Sequence, residues 1–144
     1  MAEKRVAIAS DHAGFEFKSV LKKDLEAMGY DAIDLGTDGL DPVDYPDFAA
    51  RMAEAVADGR VAWGVLVCGT GIGISIAANR HRELRAALCH EPVSARLARA
   101  HNDANILVLG ARITGIEVAR DCLKIFLATA FEGGRHERRV AKLA

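Results

Sequence analysis

Aromatic side chains are scarce in this 144-residue sequence, at 6% with one tryptophan, and it holds only three prolines and three cysteines. It also lacks an excess of either charge: 19 lysines and arginines stand against 20 aspartates and glutamates, a formal net charge of −1. No basic stretch is interleaved with aromatics, which argues against a nucleic-acid partner. No apolar run approaches the roughly 20 residues that cross a bilayer, so no membrane partner is expected. The run from Val6 to Ser10 is too short for a secretory leader, and Asp11 and His12 interrupt it. Cys68, Cys89 and Cys122 form no CxxC pair. That argues against a zinc site or a disulfide framework and for a reducing, cytoplasmic setting.

What is present is apolar bulk. Hydrophobic residues make up 51% of the chain, and no repeat, low-complexity tract or linker divides it. Residues 1–144 are therefore expected to form a single domain with a sizeable core. Five short apolar runs have strand length: Arg5–Ser10, Tyr30–Leu35, Trp63–Cys68, Arg85–Cys89 and Ala104–Leu109. Near-continuous runs of this kind suit parallel strands buried on both faces. Helical patterns lie between them. Phe17, Val20, Leu21, Leu25 and Met28 make one stripe, with Lys18, Lys22, Lys23 and Glu26 on its solvated side. Phe48, Met52, Ala55 and Val56 make a second, opened by Pro46 and closed near Gly59. Pro92 starts a helix carrying Val93 and Leu97, and Thr114 with Glu117 has the spacing of a capping box before Ile116, Leu123 and Leu127. The longest polar loop is Asp38–Asp44, and the tail after Gly133 reads as a short helix. Strict alternation of strand and helix predicts an α/β fold. It is a three-layer α/β/α sandwich on a five-stranded parallel sheet, Rossmann- or flavodoxin-like, in strand order 2-1-3-4-5.

In such folds ligands bind beyond the carboxyl ends of the strands, at the switch point between strands 1 and 3. Strand 1 runs out into "SDHAG" and strand 3 into "CGTGIG", so the two most polar or glycine-rich exits converge. Gly69, Gly71 and Gly73 allow a tight turn with exposed amides, and the following helix adds its positive end. Such a loop cradles anions and favours a thiolate beside it. Read alone, Cys68 also fits a small buried core thiol, and the glycines fit close strand–helix packing. Three chemistries could use the loop. Dinucleotide binding wants GxGxxG after the first strand and a second domain for substrate; here Gly-x-Gly-x-Gly follows the third strand. A cysteine phosphatase needs an arginine six residues after the nucleophile, where this chain has Ile74. In the third, Cys68 abstracts a proton and the loop amides form an oxyanion hole, and no part is missing.

"SDHAG", "DYP", "CGTGIGISIAAN", "HNDANILVLGAR" and "EGGRHERRV" together resemble, in order and spacing, the type B ribose-5-phosphate isomerases of the RpiB/LacAB sugar-phosphate isomerase family. The resemblance covers essentially the whole chain. It implies an aldose–ketose isomerase acting on a phosphorylated sugar such as ribose 5-phosphate, with no metal and no organic cofactor. The family's proton-abstracting cysteine falls on Cys68. Relatives without it use an acidic residue at the position of Ile74, so this chain belongs with the cysteine users. Thr70 and the amides of Gly69, Gly71 and Gly73 match the enediolate-stabilising part, and His101 matches the ring-opening residue, with Asn102 beside it. Asp11 and His12 match substrate contacts, Tyr45 a position near the site, and Arg112, Arg135 and Arg139 the phosphate-binding positions.

Physical chemistry supports these roles. Fixed N–H donors aimed at the developing oxyanion lower the barrier by roughly 3–4 kcal/mol each. Histidine titrates near neutrality and can shuttle the ring-opening proton. Arg135 and Arg139 share one helical face and can clamp a phosphate. Outside the resemblance, His101-Asn102-Asp103 also reads as a helix end and the two arginines as surface charges. His81, His90 and His136 read as structural or solvated, and Cys89 and Cys122 as core thiols. A six-carbon substrate (allose or galactose 6-phosphate) stays open, as does a non-catalytic sugar-phosphate or nucleotide-binding domain on the same fold. His101 precedes the fifth strand whereas Cys68 ends the third, so they are expected at opposite ends of the sheet. If both serve one reaction, the active unit is a homodimer with shared sites, alone or doubled into a tetramer.

Overall fold

The computed structural model describes residues 4–143. In chain order these form β1 (Arg5–Ser10), a 3-10 turn (His12–Gly14), α1 (Phe15–Ala27), β2 (Asp31–Asp34), α2 (Tyr45–Ala57), β3 (Trp63–Cys68), α3 (Ile72–Asn79), β4 (Ala86–Leu88), α4 (Pro92–Asn102), β5 (Ile106–Gly110), α5 (Ile116–Ala128) and α6 (Arg135–Ala141). All strand pairs are parallel. Because successive strand residues point to opposite faces, each central strand feeds two cores. Val6, Ile8, Val65, Val67, Leu107 and Leu109 pack under α1, α4 and α5, including Leu21, Ala95 and Phe126. Ala7, Ala9, Leu66, Cys68, Ile106 and Val108 pack under α2 and α3, against Phe48, Met52 and Ile74. This is the three-layer α/β/α sandwich that the alternation predicts.

The strand order is β2-β1-β3-β5-β4. The last two positions are exchanged relative to the sequence-based order 2-1-3-4-5, and burial explains why. β5 is buried along all five residues, which requires a neighbour on each side. β4 has three residues, all half-buried, and a short strand is what a sheet edge tolerates. The β3-α3-β4 crossover therefore leaves a gap of one strand, and β5 returns to fill it with α4 on the face opposite α3. The switch point between β1 and β3 is unchanged.

Local expectations fail at Thr114, Lys18 and Val93. Thr114 does not cap α5: Gly115 is the capping residue and makes no side-chain bond. The Thr114 N–H is committed to the Gly110 carbonyl at 2.9 Å, which holds Thr114 in the turn that closes β5. Lys18 is not on a solvated face. It is 2% exposed, and its Nζ donates to both oxygens of Asp34 at 2.7 and 2.8 Å, tying α1 to the end of β2. Val93, at 56% exposed, lies outside the core.

Burial pushes the Asp34 carboxyl up, but hydrogen bonds from Lys18 and the Gly36 amide, with the Lys18 and Lys22 charges, outweigh it and hold the group below its usual 3.8. A carboxyl depressed by folding stabilises the fold above its unfolded pKa and loses that contribution as pH falls through the folded value. Asp34→Asn, which strands the buried Lys18 ammonium, is expected to cost about 1–3 kcal/mol at pH 7, discounted for the partial exposure of Asp34. Urea unfolding checks this, and the gap between variant and wild type should narrow as the pH falls below about 4.

Candidate active site

Register brings the carboxyl ends of β1, β3 and β5 level: Ser10 pairs with Val67 and Cys68 with Gly110. At the β1 exit the Asp11 N–H donates to the Val67 carbonyl at 3.2 Å. The Asp11 carboxylate accepts from the Gly14 amide at 3.1 Å, capping the 3-10 turn. His12 Nδ1 accepts from the Val43 N–H at 3.1 Å. That bond assigns the proton of the neutral ring to Nε2 and pins the Asp38–Asp44 loop to the same rim.

Cys68 is the last residue of β3 and only 4% exposed. Its Sγ accepts from the Gly71 N–H at 3.2 Å, a bond that strengthens when the sulfur is ionised. The Thr70 hydroxyl oxygen accepts from the Ile72 N–H at 3.1 Å. Gly71 opens α3 at φ +78°, a left-handed conformation that disfavours a side chain. The first-turn amides of Gly73 and Ile74 have no intrahelical acceptor and face the helix's open end. Ile74 itself is fully buried in the α2–α3 core.

Two side chains lie over this loop. A Cβ on Gly73 would sit 2.6 Å from Tyr45 Cζ, so the exposed Tyr45 ring rests on the glycine. A Cβ on Gly69 would sit 3.3 Å from an Arg112 guanidinium nitrogen, and the Arg112 N–H donates to the Gly69 carbonyl at 2.8 Å. The β5–α5 turn thus runs backbone to backbone along the β3–α3 loop. The contact is tightest at Gly110, where any Cβ would run into the Thr70 carbonyl. Asp11, His12, Tyr45, Cys68, Gly69, Thr70, Gly71, Gly73 and Arg112 are therefore gathered on one rim.

His101, Asn102, Arg135 and Arg139 are not on it. His101 and Asn102 end α4, just before Ile106, which pairs with Gly64 at the start of β3. The four-residue step from Gly64 to Cys68 separates the two ends by about 13 Å of strand. Arg135 and Arg139 lie exposed on α6, which packs against α4. There the His101 and His136 rings stack, 12° from parallel with centroids 4.4 Å apart. Glu132 Oε1 lies 3.9 Å from His101 Nε2 and 3.7 Å from His136 Nε2. Burial, followed by the charges of Arg135 and His101, holds the His136 imidazole below its usual pKa. Glu132 and His136 both lie in the stretch "EGGRHERRV", but no sequence signal joins them to His101. A cleft of about 530 Å³ is also at this end, lined by Asn79, Arg80, Arg85 and Asn102 among others.

A thiol held by a backbone amide, at a strand exit ringed by open amides and an arginine, has the chemistry to hold a small anion and move a proton on it. The chain matches the ribose/galactose isomerase family over residues 6–143. It is 46% identical over 137 residues to ribose-5-phosphate isomerase B of Escherichia coli, covering 95% of this chain and 92% of that one. The solved ribose-5-phosphate isomerase of Thermotoga maritima superposes with a TM-score of 0.94 at 51% identity, covering 96% of each chain. A D-erythrulose-4-phosphate isomerase of Pectobacterium atrosepticum is 39% identical over 140 residues, 96% of this chain and 91% of its own. The chain belongs to the ribose/galactose isomerase family and is an isomerase.

Gly110→Ala is expected to destabilise the protein by about 1–3 kcal/mol through overpacking and to lower kcat by displacing the Cys68 loop. Gly39→Ala, where a Cβ meets nothing within 4 Å, should stay within about 0.5 kcal/mol of wild type. Thermal melts and steady-state kinetics of the two variants check this.

Proposed function

We propose that this sugar-phosphate isomerase interconverts ribose 5-phosphate and ribulose 5-phosphate through an enediolate, with Cys68 as the base. The observation that carries the reading is the Cys68 Sγ–Gly71 N–H contact inside the amide-lined loop. The thiolate takes the proton from C2 of the open-chain aldose, the electron pair moves onto the C1 oxygen, and loop amides with Thr70 hold the charge that forms there. A proton passes from the C2 hydroxyl to the C1 oxygen, and the thiol returns the abstracted proton to C1 as the C2 carbonyl forms, giving the ketose. No external oxidant or reductant is consumed, so the step calls for no redox cofactor. His101 opens the furanose by carrying a proton between the anomeric hydroxyl and the ring oxygen. Asp11, His12, Tyr45 and Asn102 contact the sugar, and Arg112, Arg135 and Arg139 hold the phosphate.

The separation of Cys68 from His101 supports a two-fold homodimer with shared sites. α3 has the surface for it. Ile72 and Ile76 are each 54% exposed, on a helix about 12 Å long that runs from the Cys68 loop back to Asn79, beside Asn102. Two such helices packed antiparallel would set one protomer's Cys68 loop against its partner's His101 end. Three free cysteines, all buried, suit a reducing cytoplasm. Among the described residues no helix is long and apolar enough to cross a membrane.

Ribose 5-phosphate is favoured because the E. coli and T. maritima relatives carry that name. The P. atrosepticum relative, named for a four-carbon substrate, makes chain length the second reading. Comparing kcat/KM for ribose 5-phosphate, erythrulose 4-phosphate, allose 6-phosphate and galactose 6-phosphate decides it; ribose 5-phosphate should rank first. Cys68→Ala should lose 10²–10⁴-fold in kcat, an order of magnitude expected for a general base, while calorimetric binding of the sugar phosphate changes only a few-fold. Mixing inactive Cys68→Ala with inactive His101→Ala under subunit exchange should restore about a quarter of wild-type activity, since about half the dimers are hybrids with one intact site. Verified hybrids that stay inactive would rule out the shared site.

A further inference from the structure

His101, Glu132 and His136 come from three separate pieces of chain: the last turn of α4, the α5–α6 loop and α6. Their approach is built into the backbone, because the Glu132 N–H donates to the Ala100 carbonyl at 3.0 Å. The donor atoms of the three side chains all lie within 4.8 Å of one another. Glu132 Oε1 faces both Nε2 atoms, at 3.9 and 3.7 Å, too far for a hydrogen bond to either. His136 is 6% exposed, and its Nε2 is buried with no partner among the described residues. A buried ring nitrogen without a partner is costly, and this one looks onto a carboxylate and a second imidazole.

We infer that these three side chains form a binding site for a divalent transition-metal ion of the zinc type, whose occupancy withdraws the His101 imidazole from catalysis. Two imidazoles and a carboxylate are a donor set that zinc takes, leaving the fourth position for water or another oxygen ligand. Bonds of about 2.0–2.1 Å place tetrahedral ligands about 3.3 Å apart. The present separations must contract by about half an ångström to an ångström and a half. The side chains that can move are the half-exposed ones, His101 at 36% and Glu132 at 54%, whereas His136 stays fixed by burial. Tilting the His101 ring out of its stack lets both Nε2 lone pairs converge on one point. Arg135 and Arg139 flank the site and weaken its hold on a dication, which suits a reversible ligand. Metal binding is independent of the proposed reaction; its inhibitory consequence rests on the role of His101 given above.

The test uses the untagged full chain with zinc as the ion and cobalt as its spectroscopic substitute. Calorimetry should find one zinc site per protomer, bound at least tenfold more weakly by His136→Asn and by Glu132→Gln, the second on a side chain too exposed to threaten folding. Cys68→Ser should bind as wild type does, and the cobalt spectrum should show no thiolate charge-transfer band. Zinc should inhibit the isomerase over the concentration range in which it binds, and a chelator should reverse this. Binding unchanged in Glu132→Gln, or lost in Cys68→Ser with a thiolate band, overturns the site. Binding at the triad with turnover unaffected keeps the site but removes the catalytic role of His101, so the two failures are distinguishable.

Discussion

β1, β3 and β5 expose almost nothing to water on either face, and that double burial governs the rest of the molecule. A parallel strand buried on both faces has no freedom of register, because a slip of one residue would exchange the side chains of the two cores. With the register held, the carboxyl ends of the three strands are held level. The loops that leave them must then pack against one another. The absence of a Cβ at Gly110 lets the β5 exit press against Thr70, and the Arg112 amide bonds to Gly69. The amide-lined thiol loop is therefore a consequence of sheet packing. It rests on a core, not on flexible chain, as preorganised electrostatic stabilisation requires.

The same register imposes a division. A helix that follows a parallel strand returns to the amino end of the sheet, so residues at the ends of α3 and α4 face away from the strand exits. Asn79 and Asn102 line one cleft there, far from Cys68. Within one protomer the crevice has its thiol, its amides and Arg112, while the imidazole and two arginines stand at the opposite end. The proposed two-fold axis beside α3 would reconcile the two halves and also cover Ile72 and Ile76, which water otherwise wets. In that proposed dimer the apolar exposure of α3 and the separation of Cys68 from His101 would have one physical remedy.

The far end also shows how a group can be held ready without a bond. His136 is locked by burial and stacks on His101, while Glu132 stands slightly beyond hydrogen-bonding range of both. Stacking orients the His101 ring without occupying its nitrogens, which the proposed proton shuttle needs free. A cation drawing the same three donors together would use up that freedom, so on the proposed roles one arrangement would serve both turnover and its suppression.

Much of this was legible in the residues. Apolar runs placed β1 and β3 to the residue, Pro46 and Pro92 marked helix starts, and "CGTGIG" after a strand marked the crevice. These signals are local: they depend on periodicity, on ring-restricted φ and on glycine's freedom. The order of β4 and β5 was not legible, because it depends on which strand is buried on both sides, a property of neighbours. Lys18 reads as a solvated lysine by helical spacing, yet a carboxylate 16 residues away draws it inward. Thr114 has the spacing of a cap, but its amide was already committed to Gly110. His101, Glu132 and His136 fall in two quoted motifs, but their meeting was not legible, since it joins a helix end, a loop and a second helix only after α6 docks on α4. Composition and local spacing settled the class of fold and the chemistry of the strand exits. Long-range packing settled which strand lies at the edge and which distant side chains share a space, because those are energies of contact between segments and no single segment carries them.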